Sequence, residues 1–506
     1  MSFLLALVAG LTQAASVALP WSGQPVWWLQ ILSLAALVVL LERSASGLRA
    51  AVLAWLFAMG WIAGSTWWLF ISMHQFGGLA APLAALAVLA LSAFLALYYA
   101  AAAGLYFRLK GSGNQENRPW SAIVFAALWM LAELARDTWL TGFPWGAAAY
   151  AHIDGPWIAL VQWLGVYGLG FALAVLATLL GLALIAPRRV GARVAVVIAL
   201  VLLQASAWLS GQYPTASSGK LSVALLQGNI AQGEKFDNSA GVPTALAWYG
   251  QQLQASTATL VVAPETAIPL LPRQLPDGYL DALQQHFLQG PQAALVGIPL
   301  GSFEQGYSNS VIGFKPGRQP IYVYSKHHLV PFGEFTPAFF KWFTQLMNIP
   351  LGDFNRGAVG QPTFEWQGQR LAVNICYEDL FGDELAARFI DAESAPSILV
   401  NISNIAWFGD SVAIDQHLAI SRMRAIELAR PMIRATNTGP TVIIDHRGQV
   451  THSLPRLTRG VLAGEVDGRT GITPFAWWAA RFGLWPLWLL GIAIVLIAAY
   501  AEKTRA

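Results

Sequence analysis

Three short stretches of the chain each carry a side chain suited to acyl-group chemistry. They are "VVAPETAIP" with Glu265, "YSKHHLVPFGEF" with Lys326 and Glu334, and "LAVNICYED" with Cys376, the only cysteine among 506 residues. A free thiol is mostly protonated at neutral pH, so it needs a base to take its proton or a cation to lower its pKa. A carboxylate can be that base, and an ammonium can stabilise the oxyanion formed when sulfur attacks a carbonyl. These residue types therefore indicate a cysteine nucleophile for acyl transfer.

Each of these side chains follows a predicted strand. Runs rich in β-branched residues and bounded by Gly, Pro, Asn and Asp predict strands, and helical patterns lie between some of them. The predicted strands are 220–230, 258–268, 293–300, 307–314, 321–330, 370–378, 397–404 and 440–448, and the predicted helices are 279–290, 382–392 and 413–430. This alternation predicts an α/β layered domain, in which catalytic groups gather at strand ends.

Spacing alone leaves ordinary alternatives open. A lone cysteine after a strand is often a packing residue, and a lysine on an exposed strand is often a solvated edge charge. His327, His328 and His417 are not spaced as a metal site, so we expect no bound metal. No glycine-rich phosphate loop is evident either, and we expect no cofactor.

The composition places much of the chain in a membrane. Apolar residues make up 56% of it, charged residues only 11%, and there are 22 tryptophans, which is not the balance of a soluble protein. One helix needs roughly 20 apolar residues to cross a hydrocarbon core of about 30 Å. Eight candidate spans cover residues 3–19, 26–41, 48–72, 79–107, 119–138, 157–186, 192–209 and 482–500. The net charge of +3 is not gathered into a basic patch, so we expect no nucleic-acid partner.

The placement of basic residues predicts the topology. Lys and Arg are retained in the cytoplasmic loops of membrane proteins, and here they cluster in alternate connections: Arg43, Arg49, Arg108, Lys110, Arg118, Arg188, Arg189, Arg193, Lys503 and Arg505. Both termini are therefore expected in the cytoplasm. The predicted domains are a bundle of seven helices over 1–210, a domain on the far side of the membrane over 211–475, and a final helix and tail over 476–506. The first span lacks the basic start of a signal peptide and is expected to be retained.

The motif strings resemble the nitrilase superfamily, and most closely its membrane-embedded branch, the apolipoprotein N-acyltransferases. In chain order the strings are "LLQGNIAQGEKFD", "APETAIP", "KHHLVPFGEF", "NICYED", "ISNIAWFG", "RMRAIELARP" and "ATNTGPT". The resemblance covers essentially the whole chain. It implies a multi-domain membrane protein with eight transmembrane α-helices and a periplasmic nitrilase-like α-β-β-α sandwich.

The resemblance also implies a Glu-Lys-Cys triad. Cys376 matches the nucleophile of the family, Glu265 its general base, and Lys326 the group that stabilises the tetrahedral oxyanion. Glu334 in "PFGEF" matches a second carboxylate that helps to hold the triad.

Five further positions correspond to the family's loops around the site, and two of them depart from its pattern. Tyr377 and Glu378, directly after the nucleophile, match positions that shape the acyl site, and Trp407 lies in the matched string "SNIAWFG". Phe236 stands where relatives often carry tryptophan, so it keeps an aromatic face but lacks an indole donor. Ile405 replaces an aspartate that is common in the family, and we assign no charged role to its loop.

The function implied by the resemblance is the last step of lipoprotein maturation in the bacterial inner membrane. The acyl donor would be a phospholipid, with phosphatidylethanolamine expected, and the acceptor the N-terminal diacylglyceryl-cysteine of an apolipoprotein. Nothing requires more than a monomer. Two alternatives stay open: a membrane-tethered nitrilase-type amidase that hydrolyses C–N bonds, and a transporter with a periplasmic binding domain, which the scarcity of intramembrane charges disfavours.

Two other segments carry predictions of their own. The apolar stretch 335–352 has aromatic residues at helical spacing, which fits either an amphipathic arm at the bilayer surface or a segment buried in the domain core. Glu133 and Arg136 share a helix face inside the bundle, as a functional pair or as a simple ion pair.

Overall fold

A computed structural model describes residues 1–110, 118–185, 190–210, 215–302, 304–317, 321–336 and 353–504. The chain forms two compact units. The first comprises Met1–Phe70, Ala81–Tyr213 and Phe482–Ala506, and the second comprises Ile71–Ala80 and Pro214–Arg481. The segment Ile71–Ala80 thus belongs with the second unit although it lies in sequence between two helices of the first. Most of the predicted amphipathic arm, residues 337–352, lies outside the described residues.

The first unit is helical. Its main helices are Ser2–Val17, Trp27–Glu42, Gly47–Thr66, Ala81–Leu109, Arg118–Thr138, Val161–Ile185, Val190–Ser210 and Trp485–Lys503, one in each predicted span. Leu- and Ala-rich sequence favours the helix, which also satisfies every interior backbone group without water. Four helices of the described residues are long and apolar enough to cross a membrane: Gly47–Thr66, Ala81–Leu109, Ile158–Ile185 and Trp485–Lys503.

Glu133 and Arg136 are both buried inside this unit, and both hold the same loop. Glu133 Oε1 accepts a hydrogen bond from the Ala148 nitrogen at 2.9 Å. Arg136 Nη1 donates to the Phe143 and Trp145 carbonyl oxygens at 3.1 and 2.8 Å. The two side chains therefore fix the course of residues 143–148, a structural task that neither predicted role included.

The second unit contains two six-stranded sheets. The strands of the first sheet are β1 Ser217–Gln227, β2 Leu260–Val262, β3 Ala293–Ser302, β4 Gly306–Phe314, β5 Tyr322–Ser325 and β12 Gly460–Arg469. Those of the second are β6 Phe364–Trp366, β7 Gln369–Ile375, β8 Ile398–Ser403, β9 Met432–Thr436, β10 Val442–Ile444 and β11 Val450–Ser453. The first sheet has the order β12-β1-β2-β3-β4-β5 and the second the order β11-β10-β9-β8-β7-β6.

The two sheets pack face to face with helices on their outer faces. Val223 and Leu295 of the first sheet share one buried cluster with Val373 and Ile402 of the second, which is the central layer of a sandwich. The helices Gly241–Ala255 and Tyr279–Gln289 cover the first sheet, and Gly382–Ala386, Ala413–Glu427 and Pro474–Phe482 cover the second. The two-sheet, nitrilase-like sandwich predicted for this region is confirmed.

The parallel strands β1-β2-β3 and β7-β8-β9 bring their carboxyl ends to common edges. All eight predicted strands are present, but most are shorter than predicted. Three of them end early because the residues after Val262, Ser325 and Ile375 turn away from the sheet. The predicted helix 382–392 ends early, at Ala386, and continues as the 3-10 turn Ala387–Phe389. The residues that leave the strands early are those that carry the site.

Candidate active site

Glu265 lies in a tight turn directly after β2. Thr266, the next residue, adopts the left-handed conformation with φ of 49°, which a β-branched residue enters only under strain. The turn packs on Gly297 of β3, where a Cβ atom would lie 2.8 Å from Glu265 Cα and 2.7 Å from the Thr266 nitrogen. Glycine at 297 therefore allows the turn to approach the sheet and fixes where the Glu265 carboxylate projects.

The Glu265 carboxylate is buried and well supplied with donors. Its Oε1 accepts from Asn309 Nδ2 at 2.7 Å, and its Oε2 accepts from the Asn404 nitrogen at 2.8 Å. Lys326 Nζ lies 3.6 Å from Oε1. Burial alone would raise the pKa of Glu265, but the Lys326 ammonium, the Asn309 amide and the Lys235 ammonium together hold it below its usual range. Glu265 is therefore a carboxylate at neutral pH, the form in which it can accept a proton.

Lys326 directly follows β5 and is 1% exposed. Its Nζ donates to Glu334 Oε1 at 2.9 Å, while its backbone nitrogen donates to the Asn309 carbonyl at 2.8 Å. Burial would lower the pKa of Lys326, but the charges of Glu334 and Glu265 outweigh burial and raise it. The ammonium therefore keeps its charge throughout the working pH range.

Asn309 bridges the two carboxylates of the site. Its Nδ2 donates to Glu265 Oε1 at 2.7 Å and to Glu334 Oε1 at 2.8 Å. Carboxylates only accept hydrogen bonds, so the amide nitrogen must face them. Glu334 Oε2 accepts from the Val330 nitrogen at 2.8 Å, which orients that carboxylate from its own loop. Glu265, Lys326 and Glu334 thus form one connected set of charges.

Cys376 directly follows β7 and begins the 3-10 turn Cys376–Leu380. Its φ is 52°, a left-handed conformation that is uncommon outside glycine and is found at functional turns. Its carbonyl oxygen receives hydrogen bonds from Asn401 Nδ2 and His417 Nε2, each at 3.2 Å. Burial and the nearby Glu265 carboxylate raise the pKa of the thiol to about 12, against the opposing effect of Lys326. The thiol is therefore protonated at rest and needs a base when it reacts.

A buried polar chain supports this turn from the side of the helix Ala413–Glu427. Arg434 Nη2 lies 2.7 Å from His417 Nδ1, and His417 Nε2 lies 2.9 Å from Asp379 Oδ1. An arginine only donates, so Nδ1 must accept and the ring proton stays on Nε2. That proton points to Asp379 and to the Cys376 carbonyl, while Ser421 donates to Asp379 Oδ2 at 2.5 Å. His417, which sequence analysis considered only as an unlikely metal ligand, thus holds the backbone of Cys376.

Glu378 connects the two strand ends that carry Lys326 and Cys376. Its Oε1 accepts from the His327 nitrogen at 2.6 Å, and its Oε2 accepts from the Ile375 nitrogen at 2.6 Å. The Tyr324 hydroxyl donates to both oxygens, at 2.9 and 2.8 Å. Burial raises the pKa of Glu378 despite these donors. The carboxylate thereby ties the residue after Lys326 to the residue before Cys376.

The remaining predicted positions lie in the loops around these strand ends. Tyr377 is buried, and its ring packs edge-on against Phe381 with ring centroids 5.4 Å apart. Trp407 is half-buried and packs edge-on against Phe76, with ring centroids 5.9 Å apart. Phe236 is half-buried in the turn after β1, while Ile405 is fully buried. Ile405 thus packs as an apolar side chain.

Sequence reasoning missed several polar residues that touch this set, among them Lys235, Asn309, Asn404 and Arg434. Asn404 and Lys235 lie inside strings that matched the family, one residue away from positions that were singled out. Asn309 and Arg434 sit on buried strand positions, where an amide or a guanidinium needs a partner. Among the described residues, no group of three or more His, Cys, Asp or Glu is placed to hold a metal ion.

Two stacked sheets with a cysteine, a lysine and a glutamate at their strand ends define a carbon-nitrogen hydrolase type of domain. Residues 222–474 match the carbon-nitrogen hydrolase family, and residues 13–179 match the apolipoprotein N-acyltransferase N-terminal domain. The chain belongs to the apolipoprotein N-acyltransferase family, whose members are acyltransferases of the carbon-nitrogen hydrolase superfamily.

Relatives named apolipoprotein N-acyltransferase match over nearly their whole length. The protein of Verminephrobacter eiseniae is 57% identical over 505 residues, covering 95% of this chain and 92% of the relative. That of Ralstonia nicotianae is 45% identical over 487 residues, covering 95% and 90%. Among solved structures, Saccharomyces cerevisiae Nit3, a member of the nitrilase superfamily, shows 17% identity and a TM-score of 0.37, covering 50% of this chain and 91% of Nit3.

Proposed function

We propose that the protein transfers an acyl chain from a membrane phospholipid to the N-terminal amine of apolipoproteins. The donor position is the sn-1 ester, with phosphatidylethanolamine as the expected phospholipid. The acceptor is the α-amino group of a diacylglyceryl-cysteine. The observation that carries this proposal is a Glu-Lys-Cys set in a carbon-nitrogen hydrolase domain, within a chain 57% identical to a protein named apolipoprotein N-acyltransferase.

In the first step, Cys376 takes the acyl chain. Glu265 accepts the thiol proton as sulfur attacks the ester carbonyl, and the Lys326 ammonium stabilises the tetrahedral oxyanion. Collapse breaks the ester C–O bond, and Glu265 returns the proton to the departing alkoxide. The products are a lysophospholipid and a thioester on Cys376.

In the second step, the lipoprotein amine attacks the thioester. Glu265 takes a proton from the attacking nitrogen, and Lys326 again faces the oxyanion. The C–S bond breaks, an amide forms, and the proton passes from Glu265 to the sulfur. A neutral amine attacks a thioester readily, while apolar surroundings limit competing hydrolysis.

The hydrogen bonds of the site suggest how its other residues contribute. Glu334 would hold Lys326, whose Nζ donates to it. Asn309 donates to both Glu265 and Glu334 and would thereby keep Glu265 in place relative to Lys326. Glu378 would set the separation of Lys326 and Cys376 by binding the backbone beside each. Phe236 and Trp407, both half-buried, would offer aromatic surface to the acyl chains, Phe236 without the donor that tryptophan would add, and the buried Tyr377 would help to shape the acyl site.

The membrane arrangement is part of the same proposal. All eight main helices of the first unit would cross the inner membrane. These include the four that are long and apolar enough by themselves and the four others. Both termini would lie in the cytoplasm and the catalytic domain in the periplasm, with domain bounds near 1–210, 211–475 and 476–506. Donor and acceptor are then anchored in one leaflet, which raises their effective concentration. The protein would act as a monomer.

The competing activity for this site is hydrolysis of a C–N bond by a membrane-tethered amidase. To separate the two, the purified protein is incubated with phosphatidylethanolamine and a synthetic diacylglyceryl peptide bearing a free N-terminal amine. We expect an N-acylated peptide and an equal amount of lysophospholipid, with little free fatty acid. Free fatty acid formed without acylated peptide, or ammonia released from simple amides, would favour the amidase. Cys376→Ala serves as the blank.

A further inference from the structure

A second lysine, Lys235, is buried against the turn that carries Glu265. It lies in the turn between β1 and the helix Gly241–Ala255 and is 2% exposed. Its Nζ donates to the Glu265 carbonyl oxygen at 3.0 Å and to Thr266 Oγ1 at 3.1 Å. Both acceptors belong to the strained turn after β2, so Lys235 fixes the backbone from which the Glu265 carboxylate projects.

Both of these acceptors are uncharged, and a buried ammonium with only neutral acceptors is costly. The compensating charge comes from the catalytic groups. Burial lowers the pKa of Lys235 to about 8, whereas the Glu265 carboxylate and the Cys376 sulfur act to raise it. Lys235 therefore interacts electrostatically with both the base and the nucleophile, although it bonds directly to neither reacting atom.

Charged and titratable groups from several elements lie around Cys376, and one of them, His417, contacts its carbonyl oxygen. They are Lys235 after β1, Glu265 after β2, Lys326 after β5, Asp379 in the turn after β7, His417 on the helix Ala413–Glu427, and Arg434 on β9. Ionisation of the thiol adds a negative charge close to Glu265. Lys326 is 2.9 Å from the Glu334 carboxylate, whereas both described hydrogen bonds of Lys235 go to uncharged acceptors.

We propose that Lys235 is a second cationic positioning residue of the active site. It holds the Glu265 turn through its two hydrogen bonds and shares with Lys326 the positive charge that stabilises the Cys376 thiolate. The inference deepens the proposed function and rests on Cys376 as its nucleophile. Lys235 acts through Glu265 and through charge, without contact with the substrate.

The test is the rate at which iodoacetamide alkylates the full-length protein, measured from pH 6 to pH 9 by intact mass. Cys376 is the only cysteine, so every label reports the same sulfur, and no lipid substrate is needed. The variants are Lys235→Met, which removes the charge, Lys235→Arg, which keeps it, and Thr266→Val, which removes one hydrogen bond and leaves the charge in place.

We expect Lys235→Met to be alkylated roughly tenfold more slowly at pH 7, because loss of a nearby cation raises a thiol pKa by about one unit. The difference should narrow towards pH 9, where the wild-type lysine has itself lost its proton. Lys235→Arg and Thr266→Val should stay close to the wild-type rate at pH 7. An unchanged rate in Lys235→Met would overturn the proposal, and so would a faster rate, because a purely structural lysine would leave a looser and more accessible site.

If Lys235→Met does not fold, Lys235→Gln decides the question, because its amide can still donate to the turn but carries no charge. We expect Lys235→Gln to be alkylated roughly tenfold more slowly than the wild type at pH 7. A wild-type rate in Lys235→Gln would overturn the proposal. Because alkylation needs no acyl donor, these outcomes are independent of whether the wild type forms a thioester, which tests the proposed function itself.

Discussion

Lys326 lies closer to Glu334 than to Glu265: its Nζ is 2.9 Å from Glu334 Oε1 and 3.6 Å from Glu265 Oε1. The ammonium is thus paired mainly with a carboxylate that the proposed chemistry does not use as a base. Glu265 therefore lies near the Lys326 ammonium without forming a close ion pair with it. This arrangement suits a carboxylate that must accept a proton and then release it.

Glu334→Gln tests whether pairing of Lys326 with Glu334 keeps Glu265 available as a base. Without the Glu334 charge, Lys326 should draw towards Glu265, and the tighter ion pair should make Glu265 a poorer base. We expect acyl-enzyme formation to slow by roughly tenfold to a hundredfold, measured by rapid-quench mass analysis with excess phospholipid. Glu393→Gln, which removes an exposed carboxylate, is the matched control. A wild-type rate in Glu334→Gln would contradict the assignment.

The raised pKa of the Cys376 thiol, about 12, gives a prediction for the resting enzyme. A thiol below its pKa gains thiolate as the pH rises, so the alkylation rate with iodoacetamide should keep increasing through pH 9. A thiolate stabilised in advance by a cation would instead give a plateau near neutral pH. Intact-mass kinetics in detergent would measure the profile, and a plateau below pH 8 would show that this sulfur is ionised at rest.

Gly297→Ala should displace the Glu265 turn. The new methyl group would lie within 3 Å of Glu265 Cα and the Thr266 nitrogen, and neither belongs to a flexible side chain. Overpacking of this kind costs about 1–3 kcal/mol, so we expect a lower unfolding temperature together with slower acylation. Gly191→Ala, where a Cβ meets nothing within 4 Å, is the control. Activity and stability equal to those of the control would mean that the turn tolerates the shift.

The chain from Arg434 through His417 to Asp379 predicts different outcomes for two substitutions of His417. Glutamine can accept from Arg434 and donate to Asp379, whereas leucine removes the acceptor of Arg434 Nη2 and the donor to Asp379 Oδ1, at about 1–3 kcal/mol each. We expect His417→Leu to lower the unfolding temperature and slow acylation, with His417→Gln intermediate. Thermal unfolding in detergent and the acylation rate give the comparison. Equal behaviour of the two variants would show that the hydrogen bonds of His417 do not support the turn.

Much of the fold could be predicted from apolar patterns. The span-forming stretches and the eight predicted strands are dense in residues that favour one type of structure. Four strands were not predicted: β6, β9, β11 and β12. Strand β12 contains three glycines and three charged residues, which are not typical of a strand, and β9 carries Arg434 in a fully buried position. These strands depend on pairing and partners from distant parts of the chain, which local sequence does not reveal.

The candidate site was predicted only in part. The residues that were missed have partners that lie far away in the sequence. Glu265, Lys326 and Cys376 each stand in a recognisable string, so their types and order could be read. Asn309 bridges residues 44 positions before it and 25 after it, and an asparagine in a strand gives no sign of that. Lys235 reads as an exposed charge in a loop, and only the fold shows that it is buried beside Glu265.

The central claim is that Cys376 carries the acyl chain as a thioester. The most direct measurement is the intact mass of the purified full-length protein after incubation with phosphatidylethanolamine of defined acyl composition. We predict a mass increase equal to one sn-1 acyl group, removed by neutral hydroxylamine, absent in Cys376→Ala and formed slowly in Glu265→Gln. An unchanged wild-type mass while the same sample acylates a diacylglyceryl peptide, or an adduct that persists in Cys376→Ala, would contradict the account.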